Sequence, residues 1–589
     1  MVDRSEILAA YSSKALLKDL LASIKPYRWR FAFASFLRLT SDLVWLYPAF
    51  ALASIVSLLS EGDIASHFPQ IQWILVLWML ASVWHYIARD VAKFIGFQVA
   101  EKVNLDKQKE VISHMMRLDM HWQERENSGN KVKRIQRGGE GFLEILRIWL
   151  VNYIEIGVNL VGMTFIVATF DRTIALGFMI FMVTYYALAY AISRKAGEAT
   201  SLTNIEEEHV HGLSFEAINN IRTVKALGME KGFLKKLQNR MSVLLARIRT
   251  RVFWFRVRDS SLSLWGQTFR LVAIAFIVYE IIQGRYEVGF LVIFYEYFNR
   301  ILDSIAELSE VSQRFMVARY GIGRMKEILH EPLGIDDETG KVDLPEEWQT
   351  IEVKNLHFSY GSKTVLNGID IVIRRGERIG IVGLSGAGKS TLFKLLLKEH
   401  ERYEGDILID GTPLTSIKKS SYFEHAATVL QDTEVFHFTL AENILMANPK
   451  EEENQELLSQ ALAISHVSDF LPKLPNGMHT ELGEKGVRLS GGERQRVGIA
   501  RAVFKRPQIV FMDEATSHLD VESEEKIRDS FHNFFQSVTA VVIAHRLSTI
   551  REMDRIYVLE DGKVLEEGNF DDLYGKKGRF YELWEKQRF

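Results

Sequence analysis

The sequence predicts two parts: an N-terminal all-α membrane domain with six transmembrane helices, and a C-terminal α/β nucleotide-binding domain of the P-loop type. At 589 residues the chain is too long for one compact domain. Long apolar runs occupy about the first 310 residues, and the remainder reads as a soluble α/β protein. Within that remainder, Gly383–Thr391 has the glycine, lysine and hydroxyl pattern that binds nucleotide phosphates.

The membrane domain is predicted from the length of the apolar runs. A spanning helix needs about 20 mostly apolar residues, and helices are the expected spanning form because lipid cannot hydrogen-bond to the backbone. Runs such as Phe178–Ile192 are apolar on all faces, which disfavours the alternative of a large helical core in a soluble protein. We predict a membrane domain over residues 1–329, a linker over 330–349 and a nucleotide-binding domain over 350–589. The predicted spans lie near residues 30–59, 71–97, 145–169, 173–193, 262–283 and 287–309.

The basic residues predict the orientation. The short loops after spans 1, 3 and 5 contain only Arg172 and Arg285 as basic residues, whereas Lys102–Arg137 and Arg194–Arg258, on the other side, are rich in Lys and Arg. The positive-inside rule therefore predicts that both termini and the nucleotide-binding domain are cytoplasmic. The N-terminus shows neither a cleavable signal pattern nor an organelle-targeting extension, so we expect the inner membrane of a bacterium.

Composition excludes several classes of function. The net charge of -3 gives no indication of a nucleic-acid partner. The chain has no cysteine, which excludes disulfides, thiolate metal sites and a cysteine peptidase domain. The sequence leaves open whether this absence is natural or engineered.

Charged residues inside the predicted spans are costly in lipid and therefore informative. Arg38 and Asp42 lie one helical turn apart in span 1 and can pair. A second set recurs at intervals of three and four residues in span 6, which places its members on one helical face. That face is either the polar wall of a central cavity or a part of the helix that leaves the bilayer; its members are Glu296, Arg300, Asp303, Glu307 and Glu310.

The phosphate-binding loop has the flanking elements that its mechanism requires. An apolar strand, Arg378–Val382, precedes it and a helix follows. Glycines let successive backbone N–H groups point at phosphate oxygens, the lysine reaches the outer phosphates, and the Ser390 hydroxyl is a candidate Mg²⁺ ligand. The candidate phosphate-binding residues are Gly383, Ser385, Gly386, Gly388, Lys389, Ser390 and Thr391.

Two acids follow a second apolar strand. The run Ile509–Met512 is typical of a buried strand, and Asp513 and Glu514 come directly after it. We expect Asp513 to hold Mg²⁺ through a water and Glu514 to orient and polarise the water that attacks the γ-phosphate. The alternative is that the two acids end a strand and have no catalytic role.

These segments, together with Leu489-Ser-Gly-Gly-Glu493, resemble the ATP-binding cassette (ABC) exporter half-transporters of the six-helix type IV (B-type) family. The resemblance extends from about residue 20 to the end of the chain. It implies that Tyr360 stacks on adenine, that Gln431 contacts Mg²⁺, and that His545 contacts the γ-phosphate as a second catalytic residue. It further assigns ATP contacts to Ser490, Gly491, Gly492 and Asp520.

Two positions depart from the family pattern. His518 stands where the family usually has alanine, and Val435–Ile444 lacks the usual small residue after its first phenylalanine. Neither position is expected to take part in the chemistry, so the resemblance is unaffected.

The resemblance also implies a dimer. In this family each ATP lies between the phosphate loop of one cassette and the signature Ser490–Gly492 of another, so one chain cannot complete a site. A homodimer is the simpler interpretation, and a heterodimer remains open. The implied activity is ATP hydrolysis, with ATP and Mg²⁺ as cofactors, that drives efflux of an unidentified peptide, lipid or drug across the bilayer.

The sequence leaves one alternative to efflux open and disfavours two others. An ATP-gated channel or regulatory membrane protein would use the same ATPase, and it predicts ion current without directional accumulation. A soluble cassette acting on nucleic acid is disfavoured by the six spans. An importer is disfavoured because importer cassettes are usually separate chains.

The assignment of Glu514 yields the first prediction. Replacing Glu514 with Gln removes the group that polarises water, so we expect hydrolysis to slow strongly and an ATP-occluded state to accumulate. Steady-state ATPase assays and retention of labelled ATP measure both effects. Near-normal turnover in this variant would overturn the assignment.

Overall fold

The computed structural model describes residues 11–60, 64–125, 128–333, 338–361, 363–431, 433–483, 486–487, 489–513, 534–535, 538–543 and 547–587. The chain divides into two compact units. The first comprises Met1–Ser113 with Gly129–His330, and the second comprises His114–Ser128 with Glu331–Phe589.

The described part of the chain up to His330 is helical. Its described helices are α1 Ser13–Ile24, α2 Arg28–Val44, α3 Tyr47–Ser60, α4 Ile64–Met116, α5 Met120–Arg125, α6 Ser128–Ile148, α7 Ile154–Gly157, α8 Met163–Phe170, α9 Arg172–Asn219, α10 Ile221–Ala226, α11 Glu230–Ile282 and α12 Val288–His330. Local sequence explains some boundaries. Asp171 caps α9, because its Oδ1 accepts hydrogen bonds from the backbone N–H groups of Thr173 at 2.6 Å and Ile174 at 3.1 Å.

Among the described residues, five helical stretches are long and apolar enough to cross a membrane. The helix α12, which contains the sixth predicted span, is not among them, because Glu296, Arg300 and Asp303 interrupt its apolar sequence. Its role as a span stays a prediction. The five stretches are Ser13–Ser60, Ser66–Met116, Asn130–Phe170, Arg172–Asn219 and Glu230–Ile282.

Large apolar side chains on these helices point away from the protein. Trp73 is 69% exposed and Leu264 is 71% exposed. Such an apolar surface is far larger than a monomeric soluble protein presents to water, and hydrocarbon covers it at no cost. The exposed faces therefore agree with a membrane-embedded unit.

Two helices of this unit approach until their backbones touch. A Cβ added to Gly141 of α6 would lie 2.6 Å from the carbonyl oxygen of Ala318 in α12. A Cβ added to Gly321 of α12 would lie 2.7 Å from the carbonyl oxygen of Arg137 in α6. Small residues on both sides permit this crossing, as they do at close helix contacts in membrane proteins.

The second unit contains two sheets with helices around them. Its strands are β1 Thr350–Tyr360, β2 Lys363–Arg374, β3 Arg378–Val382, β4 Glu404–Ile409, β5 Thr412–Pro413, β6 Ala426–Val429, β7 Ile509–Asp513, β8 Thr539–Ile543, β9 Arg555–Glu560 and β10 Lys563–Gly568. Its described helices are α13 Lys389–Leu396, α14 Lys419–His425, α15 Leu440–Leu445, α16 Gln455–Ile464, α17 Gly491–Phe504, α18 Phe570–Lys576 and α19 Arg579–Gln587.

The topology of the larger sheet brings the ends of its central strands together. The smaller sheet has the order β2-β1-β4-β5 and the larger one β10-β9-β3-β8-β7-β6. In the larger sheet β3 pairs in parallel with β8 and β9, and β7 pairs in parallel with β6 and β8. The carboxyl ends of β3, β6, β7 and β8 therefore lie at one edge, which is where open α/β sheets bind ligands.

The helix crossing gives a prediction with an internal control. Gly321→Ala forces a Cβ against a backbone oxygen, and we expect the substitution to cost about 1–3 kcal/mol. Gly197→Ala, in α9, adds a Cβ that meets no described atom within 4 Å, so its higher helix propensity contributes up to about 1 kcal/mol of stability. In thermal unfolding in detergent, we expect Gly321→Ala to have a lower apparent Tm than the wild type. We expect Gly197→Ala to have an equal or higher one. Equal shifts would contradict the crossing.

Candidate nucleotide-binding site

The phosphate-binding loop connects β3 to α13. Gly388 ends the loop in the left-handed region, at a φ of 100°, and a Cβ there would lie 2.6 Å from Cδ2 of Leu366. No other residue type adopts this backbone without strain. The loop therefore brings its N–H groups to the start of α13, where a helix N-terminus adds its own affinity for anions.

Lys389 places a positive charge inside the loop. Its side chain is buried, and its Nζ donates hydrogen bonds to the carbonyl oxygens of Gly383 at 2.8 Å and Leu384 at 3.0 Å. Ser385, Gly386 and Ser390 are exposed around it, and Thr391 is buried in the first turn of α13. The loop thus presents hydroxyl groups, N–H donors and an ammonium group, which is the chemistry that cradles phosphates.

The sheet register places Asp513 at the same edge as this loop. Ile381 of β3 is opposite Ile543 of β8, and Ile543 is in turn opposite Asp513 of β7. Asp513 therefore lies two strands away from β3, the strand that leads into the phosphate-binding loop. It is level with Ile381, two residues before the loop begins at Gly383. Glu514, Asp520 and His545, which the sequence also assigned to the site, lie outside the described residues.

Gln431 reaches the same edge from the outermost strand. It is the second residue after the end of β6 at Val429. Val429 is opposite Met512 of β7. The Gln431 residue is exposed. The edge consequently collects the phosphate-binding loop, Gln431 and Asp513 from three strands of one sheet.

Tyr360 is held in an aromatic corner. It ends β1, is 45% exposed, and its ring meets Phe358 edge to face at 4.9 Å and His400 at 5.7 Å between centroids. An exposed, oriented aromatic ring suits stacking on a base. The contacts of Tyr360 with these two rings were not predicted from the sequence. The alternation of Phe358 with Tyr360 along β1 offered a signal for the first, and no local signal pointed to His400.

The signature residues start the helix α17. The Ser490 Oγ accepts a hydrogen bond from Glu493 N at 3.3 Å, and Glu493 Oε2 accepts one from Ser490 N at 2.8 Å. This reciprocal capping fixes where the helix begins. Gly491 and Gly492 then form its first turn, and a Cβ on Gly491 would meet no described atom within 4 Å. The first turn is therefore open to an approaching anion.

The partly buried Arg501 links the signature helix α17 to the segment 434–443, and it was not predicted from the sequence. Arg501 Nε and Nη2 donate to the backbone oxygen and Oδ1 of Asn443, at 2.7 and 2.6 Å, and Nη1 donates to the Glu434 oxygen at 2.7 Å. Burial lowers the pKa of Arg501. These bonds connect α17, whose N-cap is Ser490, to the 434–443 segment.

Comparisons with known proteins agree for both units. The family model of the ABC transporter transmembrane region matches residues 31–305, and that of the ABC transporter matches residues 366–517. An ATP-dependent lipid A-core flippase from Saccharophagus degradans is 29% identical over 87% of this chain and 86% of the relative. A beta-(1→2)glucan export ATP-binding/permease protein from Agrobacterium vitis is 27% identical over 87% of each chain.

A solved structure matches nearly the whole chain. It is that of a bacterial Atm1-family ABC exporter with ATP bound, with a TM-score of 0.84 and 25% sequence identity. The match covers 95% of this chain and 98% of the other. The predicted fold class, a helical membrane domain fused to a P-loop domain, is confirmed.

The loop geometry predicts a graded effect of two alanine substitutions. Gly388→Ala adds both backbone strain and an overlap with Leu366, so we expect ATP affinity to fall at least about tenfold. Gly386→Ala, at a φ of 85°, adds strain alone because its Cβ meets no described atom within 4 Å. Titration with a fluorescent ATP analogue compares the two variants, and Leu366→Ala should partly rescue Gly388→Ala. Equal losses, or no rescue, would contradict this account.

Proposed function

Because this chain belongs to the ABC transporter family and couples ATP hydrolysis to export across a membrane, we propose that it is a homodimeric efflux transporter working by alternating access. It moves an amphipathic or polar molecule, such as a peptide, lipid or drug, outward from the cytoplasm or the inner leaflet. The observation that carries this proposal is the assembly of the phosphate-binding loop, Gln431 and Asp513 at one sheet edge, in a chain whose described part includes five membrane-compatible helices.

The dimer follows from the division of labour within the chain. The phosphate-binding loop and the signature helix are separate elements, and each chain supplies one of each. A two-fold pair lets the open first turn at Ser490–Gly492 of one copy cover the phosphates held by Lys389 of the other. Two equivalent ATP sites result.

The residues at the sheet edge also fit Mg²⁺. Ser390, Gln431 and Asp513 offer a hydroxyl, an amide oxygen and a carboxylate, which are the oxygen donors that Mg²⁺ prefers, with Asp513 acting through a water. When bound, the ion neutralises charge on the phosphates. Lys389 adds to that neutralisation, Glu514 orients the attacking water, and His545 contacts the γ-phosphate.

ATP drives transport through its preference for one state. ATP binds well only when two cassettes close around it, so it shifts the dimer toward the closed, outward-open form. Hydrolysis removes that preference and returns the cavity to the inside. We place both termini in the cytoplasm and the protein in a bacterial inner membrane, on the strength of the basic segments and the bacterial relatives.

Reconstitution tests the proposal. Proteoliposomes with outward-facing cassettes are given a panel of peptides, lipids and drugs. We expect one class to change the ATPase rate and to accumulate inside only with ATP, and Glu514→Gln to abolish accumulation. Ion current without accumulation would instead favour an ATP-gated channel.

A further inference from the structure

The first span is interrupted inside the membrane unit. The helix α2 ends at Val44 and α3 begins at Tyr47, and the backbone oxygens of the two residues between them accept side-chain hydrogen bonds. Arg300 Nη1 donates to the Trp45 oxygen at 3.0 Å, and the Tyr297 hydroxyl donates to the Leu46 oxygen at 3.1 Å. Irregular backbone persists at membrane depth only where protein buries it or where it lines a water-filled cavity.

The third span is irregular in the same region. The wide helical turns Trp149–Tyr153 and Val158–Gly162 flank the short helix α7. Arg38 of α2 donates from Nη2 to the Val151 oxygen, at 3.3 Å, inside the first of these turns. Such wide turns occur frequently at functional sites. The first and third spans are thus both irregular, and Arg38 contacts the irregular backbone of the third span.

That arginine is shared by two carboxylates. Arg38 is 2% exposed, its Nε lies 3.1 Å from Asp42 Oδ2, and its Nη2 contacts Glu155 Oε2. Asp42 is also buried and neutralises the guanidinium from within α2. The Glu155 side chain, in contrast, is 43% exposed. An ionised carboxylate facing hydrocarbon is costly, so this exposed side must meet a polar environment.

The nearby arginines are already engaged by other groups. Arg38 is enclosed, and Arg300 is bound to the Trp45 oxygen with its guanidinium carbon 5.4 Å from the centre of the Trp45 ring. Arg300 also interacts electrostatically with Glu296, one turn away in α12. An anion therefore cannot reach Arg38 without displacing Glu155, whereas a cation reaches Glu155 directly.

We propose that Glu155 is a cargo-contact residue that selects molecules carrying an amine, amidine or guanidinium on an apolar body. The proposal rests on the export function and names its substrate class. A cargo cation takes the accessible oxygens of Glu155 while Asp42 keeps Arg38 neutralised, so no charge is left unpaired in the membrane. The flat fork of an amidine or guanidinium matches a carboxylate best.

Three isosteric probes test this selection: 4-phenylbenzamidine, 4-phenylbenzamide and 4-phenylbenzoate, which carry one positive, no and one negative charge. Binding to the nucleotide-free protein in nanodiscs is measured by calorimetry. We expect the amidine to bind at least tenfold more tightly than the other two probes. Tightest binding of the benzoate would overturn the proposal and assign selection to basic groups such as Lys93, which also lies in electrostatic range of Glu155.

Variants isolate the carboxylate. Glu155→Gln should weaken amidine binding at least tenfold and leave the amide unchanged, and Glu155→Asp, which keeps the charge, should retain the preference for the amidine. Glu101→Gln is the control, since Glu101 is likewise half exposed and accepts a hydrogen bond from Arg147 on another helix at 2.9 Å. Wild-type amidine affinity in Glu155→Gln, or loss of the preference in Glu155→Asp with an unchanged Tm, contradicts the proposal.

The same samples separate this proposal from the export function. Absence of amidine selectivity, with ATP hydrolysis that Glu514→Gln abolishes and ATP-driven accumulation of some other compound, refutes the role of Glu155 and leaves export standing. Selective amidine binding without ATP-driven accumulation of any compound refutes export and leaves the binding site standing.

Discussion

The parallel pairing of β3, β8 and β7 is the constraint on which the nucleotide site depends. It places Ile381, Ile543 and Asp513 in one row, so the loop after β3 and the acid at the end of β7 must emerge at the same edge of the sheet, with β8 between them. A shift of one residue in either pairing would turn Asp513 to the other face of the sheet. Such a shift would also exchange the side chains that β7 contributes to two separate apolar clusters, because Val510 and Met512 belong to one cluster and Ile509 and Phe511 to the other.

In the membrane unit, side chains hydrogen-bond to irregular backbone within the predicted spans. Backbone oxygens accept side-chain hydrogen bonds where α2 and α3 separate and where the third span widens. The donors are Arg38, Arg300 and Tyr297. A charge used in this way needs a counter-ion in lipid, and Asp42 and Glu155 provide it. The distortions, the charges and the exposed carboxylate are therefore one connected feature.

Short-range sequence patterns predicted most of the fold and much of the site. The strand before the phosphate-binding loop, the helix after it and the pairing of Arg38 with Asp42 all depend on residues close in sequence, and each is present. The third member of the charge cluster, Glu155, lies 117 residues from Arg38, and no local pattern encodes such a contact.

Other features could not be predicted from residues that are close together in the sequence. His400 beside Tyr360 and Arg501 beside Asn443 escaped prediction because they meet across separate elements. The wide turns of the third span were also not predicted, because its apolar sequence contains no pattern that indicates them. The sixth span stays a prediction because its charges leave two readings open, and the assignments of Glu514, Asp520 and His545 lie outside the described residues.

The central claim is that each ATP site is built from two chains, and complementation of two inactive copies tests it most directly. Lys389→Met disables the phosphate-binding loop, and Ser490→Arg disables the signature. Differently tagged copies are co-expressed, and the mixed dimer is purified through both tags. The account predicts about half of the wild-type ATPase rate, because one of two shared sites combines the intact loop of one copy with the intact signature of the other. A mixed dimer as inactive as its parents would contradict a site shared between chains.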